Sequence, residues 1–248
     1  MNLLKSELLK LKRCWLLRVS FLLALLLPFL TLAMTLLSEQ ARQSAEPQFL
    51  MLIRQNHIFL TLFACNLLSS LIVTHLFLKE FQYGTIADII SVPVGRMRYI
   101  AVKETILFFW MMAIGLFSYL LCLLIGAAFG LTGFAFDLAV TGLWKYAAAT
   151  AISFIPMQLM VLVTLLFKNY AISLAVSAVT LVGSVVAFNT KDLIFVFPNS
   201  IAFVLTNFQT PVTAEQVLAS AASLAALLIV CLLGILIRFS RMDLKTVA

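Results

Sequence analysis

The chain has little charge and lacks the sequence motifs of nucleotide-binding and hydrolytic enzymes. Only 11% of its 248 residues are charged, whereas 63% are hydrophobic, and the mean hydropathy is +1.11. This composition excludes a water-soluble domain of this length. The sequence has no GxxxxGK[ST] motif for ATP and no HExxH or GxSxG motif. We therefore expect a membrane protein that is not itself an enzyme and has no catalytic or cofactor-binding residues of its own.

Cysteine is also scarce, and its spacing excludes the common cysteine frameworks. No two of the four cysteines form a CxxC pair, and no cluster of His, Cys and carboxylate residues accompanies them. The sequence therefore indicates neither a disulfide framework nor a metal site. We expect Cys14, Cys65, Cys122 and Cys231 to act as small apolar packing residues.

Long apolar runs are what the chain does have. A membrane-spanning helix needs about 20 apolar residues, since each residue rises about 1.5 Å through about 30 Å of hydrocarbon. The runs show no alternation with a period of two, which argues against a β-barrel. The predicted fold is all-α, a polytopic membrane protein with six transmembrane helices. The predicted spans are Val19 to Leu37, Ile58 to Leu78, Thr105 to Ile125, Tyr146 to Phe167, Ala171 to Phe188 and Val217 to Ile237.

The cationic residues predict the orientation of these spans. With the N-terminus inside, thirteen of the seventeen Lys and Arg residues fall on the cytoplasmic side, as the positive-inside rule requires. Only Arg42, Arg54, Lys145 and Lys191 then lie outside. Both termini are therefore expected in the cytoplasm. The net charge of +7 indicates contact with anionic lipid headgroups, and no nucleic-acid partner is implied.

The first 18 residues form a basic amphipathic segment before the first span. Leu4, Leu8, Leu11 and Trp15 recur at helical spacing, while cationic residues occupy the other faces. This pattern predicts an interfacial helix on the inner leaflet from Met1 to Cys14. The alternative is a plain cytoplasmic anchor for the first span.

Within the spans as predicted there is no Asp, Glu, Lys or Arg. Carriers driven by protons or sodium generally place ionisable groups there, so an ion relay is not expected. His75 lies near the cytoplasmic end, where we expect it at headgroup level. Asn66, with Ser69 and Ser70 on the same span, is a candidate for a polar substrate path. Hydrogen bonding between helices is the alternative.

Residues 79–104 form an extended polar and amphipathic segment between the second and third spans. Gly84 permits a turn, and Thr85 with Asp88 three residues later predicts the start of a short helix. Pro93 ends that helix before the cationic residues that lead into the third span. Such a helix is suited to fill a groove on a soluble partner. The alternative is that it lies on the lipid surface.

This segment resembles the permease subunits of ABC-2-type transporters. The family pattern is an acidic residue, a Gly-Thr pair, a proline, and then an arginine and a lysine before the third span. The matching residues here are Glu80, Gly84, Thr85, Pro93, Arg96 and Lys103. The opening SELLKLKR, Ser6 to Arg13, is similar to the start of permeases in the lantibiotic and bacitracin self-immunity branch, which have a similar length and six spans.

The resemblance implies a partner and a function. Residues 79–104 would contain a coupling helix that contacts a separately encoded cytosolic ABC ATPase, which binds ATP and Mg²⁺. Asp88 and the matching residues would be the coupling residues. The chain would pair with a second copy or a sister permease in the bacterial cytoplasmic membrane. It would expel a lantibiotic or similar amphipathic antimicrobial peptide from the membrane. The alternatives are export of another hydrophobic substrate, or a membrane sensor or binding protein that transports nothing.

The connection between the fifth and sixth spans, residues 189–216, contains a second candidate element. Leu193 to Phe208 is apolar but interrupted at Pro198, so each half is too short to span. We predict two half-helices dipping into the outer leaflet, the second capped by Asn199 or Ser200. By resemblance it would cover the substrate exit, which makes Pro198 and Asn199 candidate gate residues alongside Asn66. A buried connector is the alternative.

Overall fold

Helices make up nearly all of the described chain. The computed structural model describes residues 15–37, 46–82, 96–190, 193–208 and 212–240, with Glu7, Leu9 and Leu11, and within these residues there is no strand. The described residues also include a π-helical turn, Phe59–Ala64, and a 3₁₀ turn, Leu193–Phe195. The helices are α1 Trp15–Leu37, α2 Gln48–Ile58, α3 Cys65–Gln82, α4 Arg96–Ala128, α5 Phe136–Phe167, α6 Tyr170–Phe188, α7 Pro198–Thr206 and α8 Ala214–Ser240.

Six of the described helical stretches are long and apolar enough to cross a membrane. They are α1, the continuous stretch from α2 to α3, α4, α5, α6 and α8. The predicted all-α fold with six spans is thereby confirmed. The predicted boundaries are wrong at three starts. The second span begins at Gln48 instead of Ile58, the third at Arg98 instead of Thr105, and the fourth at Phe136 instead of Tyr146.

These longer helices also correct the prediction that the spans are free of charge. Glu80, Lys103 and Glu104 lie within the second and third spans. Arg54 and Lys145, which the sequence places in outer loops, lie in α2 and α5. Arg54 and Lys145 each lower the local hydropathy. The helices nevertheless continue through them, because a polar partner offsets the cost of burying each charge. Arg54 pairs with Glu46 at 2.9 Å, and Lys145 Nζ donates to the Asn207 carbonyl at 2.5 Å.

The centre of the bundle is α5, which packs against α3, α4, α6, α7 and α8. Its contact with α4 is close at Gly115, where an added Cβ would overlap the Thr150 methyl group. By contrast, α6 and α8 are largely exposed on one side, for example at Val179 and Leu218. Apolar exposure on a spanning helix is the surface expected to face lipid.

The described parts of the N-terminal segment are helical, and Leu11 packs against the core. Trp15 of the same predicted stripe is 72% exposed. Leu4 and Leu8 lie outside the described residues, and the interfacial position of this segment stays a prediction. Three of the four cysteines are described, and all three have buried free thiols, as expected of packing residues. These are Cys65, Cys122 and Cys231.

Candidate functional site

The ends of the second and third spans are joined by a buried ion pair. Lys103 Nζ lies 2.7 Å from Glu80 Oε2 and donates to the Leu76 carbonyl at 2.6 Å. The ammonium group also lies 4.8 Å from the ring centroids of Phe77 and Tyr99. Lys103 is 0% exposed. It therefore holds α3 and α4 together close to the ends that residues 83–95 connect along the chain.

Among the side chains that the structure describes, two of the predicted coupling residues meet, Glu80 and Lys103. Arg96 is the first residue of α4, and its side chain is not described. The other predicted coupling residues lie outside the described residues. These are Gly84, Thr85, Asp88 and Pro93.

Cationic side chains converge at the same end of the bundle. Lys79, which precedes Glu80 in the chain, and Arg98, near the start of α4, are both exposed. Lys168 follows α5, and partial burial lowers its pKa, with a further contribution from the positive charge of Arg238. His75, expected at headgroup level, is half-buried, and its Nδ1 lies 3.2 Å from Tyr170 Oη. In the predicted orientation this end is cytoplasmic.

A small polar cavity lies between the second span, α5 and the start of α7. Asn66 and Asn199 both line it, so two of the three predicted path or gate residues meet there. Asn66 Nδ2 donates to Thr180 Oγ1 of α6 at 3.2 Å. The hydroxyls of Thr61, Ser69 and Ser153 also line the cavity, and each donates to a carbonyl of its own helix. Polar side chains thus line about half of the cavity, and apolar residues such as Pro156 and Met157 line the rest.

The helix after the predicted break, α7, begins differently from the prediction. Its N-cap is Phe197, and no side chain caps it. Pro198 occupies the first turn, where its missing N–H is harmless. Ser200 Oγ instead donates to the carbonyls of Ile194 and Phe197, at 2.9 and 2.8 Å. The predicted cap by Asn199 or Ser200 is therefore wrong, while the depth of α7 in the outer leaflet stays a prediction.

Comparison with known proteins adds the family. Residues 3–187 match the family of ABC-2 family transporter proteins. The chain belongs to this family. It is also similar to the bacitracin transport permease protein BCRB of Bacillus licheniformis, with 26% identity over 140 residues, 56% of this chain and 67% of that protein. The resemblance drawn from the sequence is confirmed, and ABC-2 membership makes the chain a membrane component of a transport system.

Sequence reasoning missed a buried polar network at the opposite end of this ABC-2 transporter protein. His57 is 0% exposed, and its Nε2 lies 3.0 Å from Thr206 Oγ1 at the end of α7. Asn56 Nδ2 donates to Tyr146 Oη at 3.0 Å, and Tyr146 Oη donates to the Ile53 carbonyl at 2.8 Å. The network fixes α7 to α2 and α5. The polar run Arg54 to His57 before an apolar stretch was the available signal.

Proposed function

We propose that the chain is the permease subunit of an ATP-binding cassette exporter whose ATPase is a separate cytosolic protein. Its membership of the ABC-2 family across residues 3–187 is the observation that carries this proposal. The absence of a P-loop from the sequence requires that ATP and Mg²⁺ bind elsewhere. A second permease copy or a sister permease would complete the membrane part, in the bacterial cytoplasmic membrane with both termini inside.

The ATPase is proposed to bind at residues 79–104. The buried pair of Glu80 and Lys103 supports this location because it fixes both ends of the segment. Lys103 is fully buried, so we assign it to positioning the segment and not to direct contact. Direct contact falls to the polar residues of the segment and to exposed cations such as Lys79 and Arg98.

The proposed substrate is an amphipathic antimicrobial peptide, such as a lantibiotic, that is expelled from the membrane for self-immunity or resistance. The relative is named as a bacitracin transport permease, which supports this substrate class. The polar cavity lined by Asn66 and Asn199 supports a path between the second span, α5 and α7. A short helix such as α7, closed against the bundle through Thr206 and His57, is suited to act as the gate.

Affinity purification from the native host, followed by mass spectrometry, tests the ATPase partner. We expect a P-loop ATPase to co-purify with the wild type and to be lost with Lys79→Glu combined with Arg96→Glu. The matched control is Arg238→Glu, a charge reversal on α8 at the same end of the bundle, which should retain the ATPase. Recovery of other complexes without any ATPase would contradict the proposal and favour a sensor or binding protein.

A growth assay tests the substrate separately. Cells that carry the chain with its ATPase should survive higher concentrations of bacitracin or a lantibiotic than cells with an ATPase whose P-loop lysine is replaced. If both strains are equally sensitive to the peptides while the ATPase is bound and active, the chain would still be an exporter subunit, but its substrate would be another hydrophobic compound.

A further inference from the structure

Glu104 and Gln158 form a side-chain pair between α4 and α5 that the transport proposal does not use. Gln158 Nε2 donates to Glu104 Oε2 at 2.8 Å, and Gln158 is 1% exposed. Glu104 lies six residues inside the start of the third span at Arg98, which is about 9 Å along the helix. Gln158 lies nine residues before the end of the fourth span at Phe167. Both side chains are thus more than a helical turn inside their spans.

The second oxygen of each side chain is buried without a donor. Glu104 Oε1 and Gln158 Oε1 both have no hydrogen-bond partner among the described residues. Burying one unsatisfied acceptor is unfavourable, and burying an ionised carboxylate is more so. The neighbouring cation does not supply the missing donor, because Lys103 Nζ is directed to α3 and bonds to Glu80 and Leu76. The pair therefore makes one hydrogen bond and leaves two buried acceptor oxygens without a donor.

We propose that Glu104 is a proton-binding site whose carboxyl group is protonated and donates from Oε1 to Gln158 Oε1. Gln158 Nε2 donates in return to Glu104 Oε2. A carboxylic acid and a carboxamide are complementary in this arrangement, since each presents one donor and one acceptor. A single proton satisfies both orphaned oxygens. A hard metal cation is a poorer occupant because it takes six or more oxygen ligands.

Two consecutive residues then differ in charge. Lys103 is charged and compensated by Glu80 on α3, whereas Glu104 is neutral and paired with Gln158 on α5. The contact of Glu104 on α4 with Gln158 on α5 then contains no net charge inside the bundle. The proton would lie between Glu104 and Gln158, which do not line the cavity of Asn66 and Asn199.

Replacement by the neutral isostere tests the charge state. Glu104→Gln keeps one donor and one acceptor, so its thermal midpoint in detergent should equal that of the wild type. Glu104→Ala, which removes both, should lower the midpoint. The matched control is Glu80→Gln, which makes the same change in an ionised pair and should lower the midpoint because Lys103 loses its anion.

Infrared spectroscopy of the purified protein provides the second measurement. The wild type should show the carbonyl stretch of a buried protonated carboxyl, which shifts in D₂O and is absent from Glu104→Gln. The proposal is overturned if that band is missing, or if Glu104→Gln lowers the midpoint as much as Glu80→Gln does. A wild-type midpoint that rises with Na⁺, an effect lost in Glu104→Gln, would instead assign the two oxygens to a cation. These measurements use neither ATPase nor peptide and are independent of the transport proposal.

Discussion

Lys103 illustrates how a single charged residue is accommodated inside an apolar bundle. Its ammonium group is fully buried but has a carboxylate, a backbone carbonyl and two aromatic rings around it. Each of these interactions offsets part of the cost of removing the charge from water. We therefore expect the stability of the protein to fall when one charge of the pair is removed, and to change less when both charges are removed.

The Glu80 and Lys103 pair gives the first prediction. Removing one partner of a buried ion pair leaves an uncompensated charge, which typically costs about 3–5 kcal/mol. We expect Glu80→Met and Lys103→Met each to destabilise the protein by that order. The double variant should be closer to the wild type than either single variant, because no charge remains buried. Chemical denaturation in detergent measures all three.

Lys79→Met is the control for this cycle, since it removes an exposed cation one residue from Glu80. It should change stability by less than about 1 kcal/mol, as surface charges generally do. Single variants that unfold no more easily than this control would show that the pair does not hold the two spans together.

Single residues also show where sequence reasoning succeeds and fails. Asn66 and Asn199 stood out as amides in apolar surroundings, and the structure brings both to one cavity. His57 did not stand out, because its partner Thr206 is 149 positions away. A hydrogen bond between distant elements depends on how the helices pack, and a single sequence does not contain that information.

At the scale of whole helices, hydropathy locates each span but not its start. The second, third and fourth spans are extended at their N-terminal ends by stretches that contain Arg54, Lys103 and Lys145. A hydropathy window treats each such side chain as a cost, although a tertiary partner removes most of that cost in the folded protein. The number of spans was therefore predictable, and their lengths were not.

The contact between α4 and α5 gives a prediction at the helix scale. Gly115→Ala should destabilise the protein by about 1–3 kcal/mol, the usual cost of overpacking, because the new Cβ would overlap the Thr150 methyl group. Adding Thr150→Ser removes that methyl and keeps the hydroxyl, which donates to the Tyr146 carbonyl at 2.9 Å. The double variant should recover most of the lost stability.

Denaturation midpoints of the two single variants and the double variant measure this recovery. Thr150→Ser alone is the control, and we expect it to have only a small effect. A double variant as unstable as Gly115→Ala would mean that the helices separate for a reason other than this one contact.

At the scale of the molecule, the alternating direction of the six spans puts Arg98, Lys168 and Arg238 at one end of the bundle. The loop between α4 and α5, which contains Thr132, lies at the other end. The positive-inside rule predicts that the cationic end is cytoplasmic.

Cysteine labelling in intact cells tests this assignment. The background variant carries Cys14→Ser, and the three described native cysteines are buried. We expect a membrane-impermeant maleimide to label Thr132→Cys from outside, whereas Arg238→Cys should react only after the membrane is permeabilised. The reverse pattern would place residues 79–104 outside the cell and contradict binding of a cytosolic ATPase there.

The buried ion pair also constrains how the chain enters the membrane. Glu80 ends the second span and Lys103 lies near the start of the third, so each span on its own carries an uncompensated charge into the bilayer. A lone charge at the centre of an inserting helix costs about 2.5–3.5 kcal/mol on biological insertion scales, and less near its ends. Together the two spans cancel that charge, and we expect them to leave the translocon as a helical hairpin. In an insertion assay, the third span should therefore integrate more efficiently when the second precedes it, and Glu80→Gln should remove that advantage.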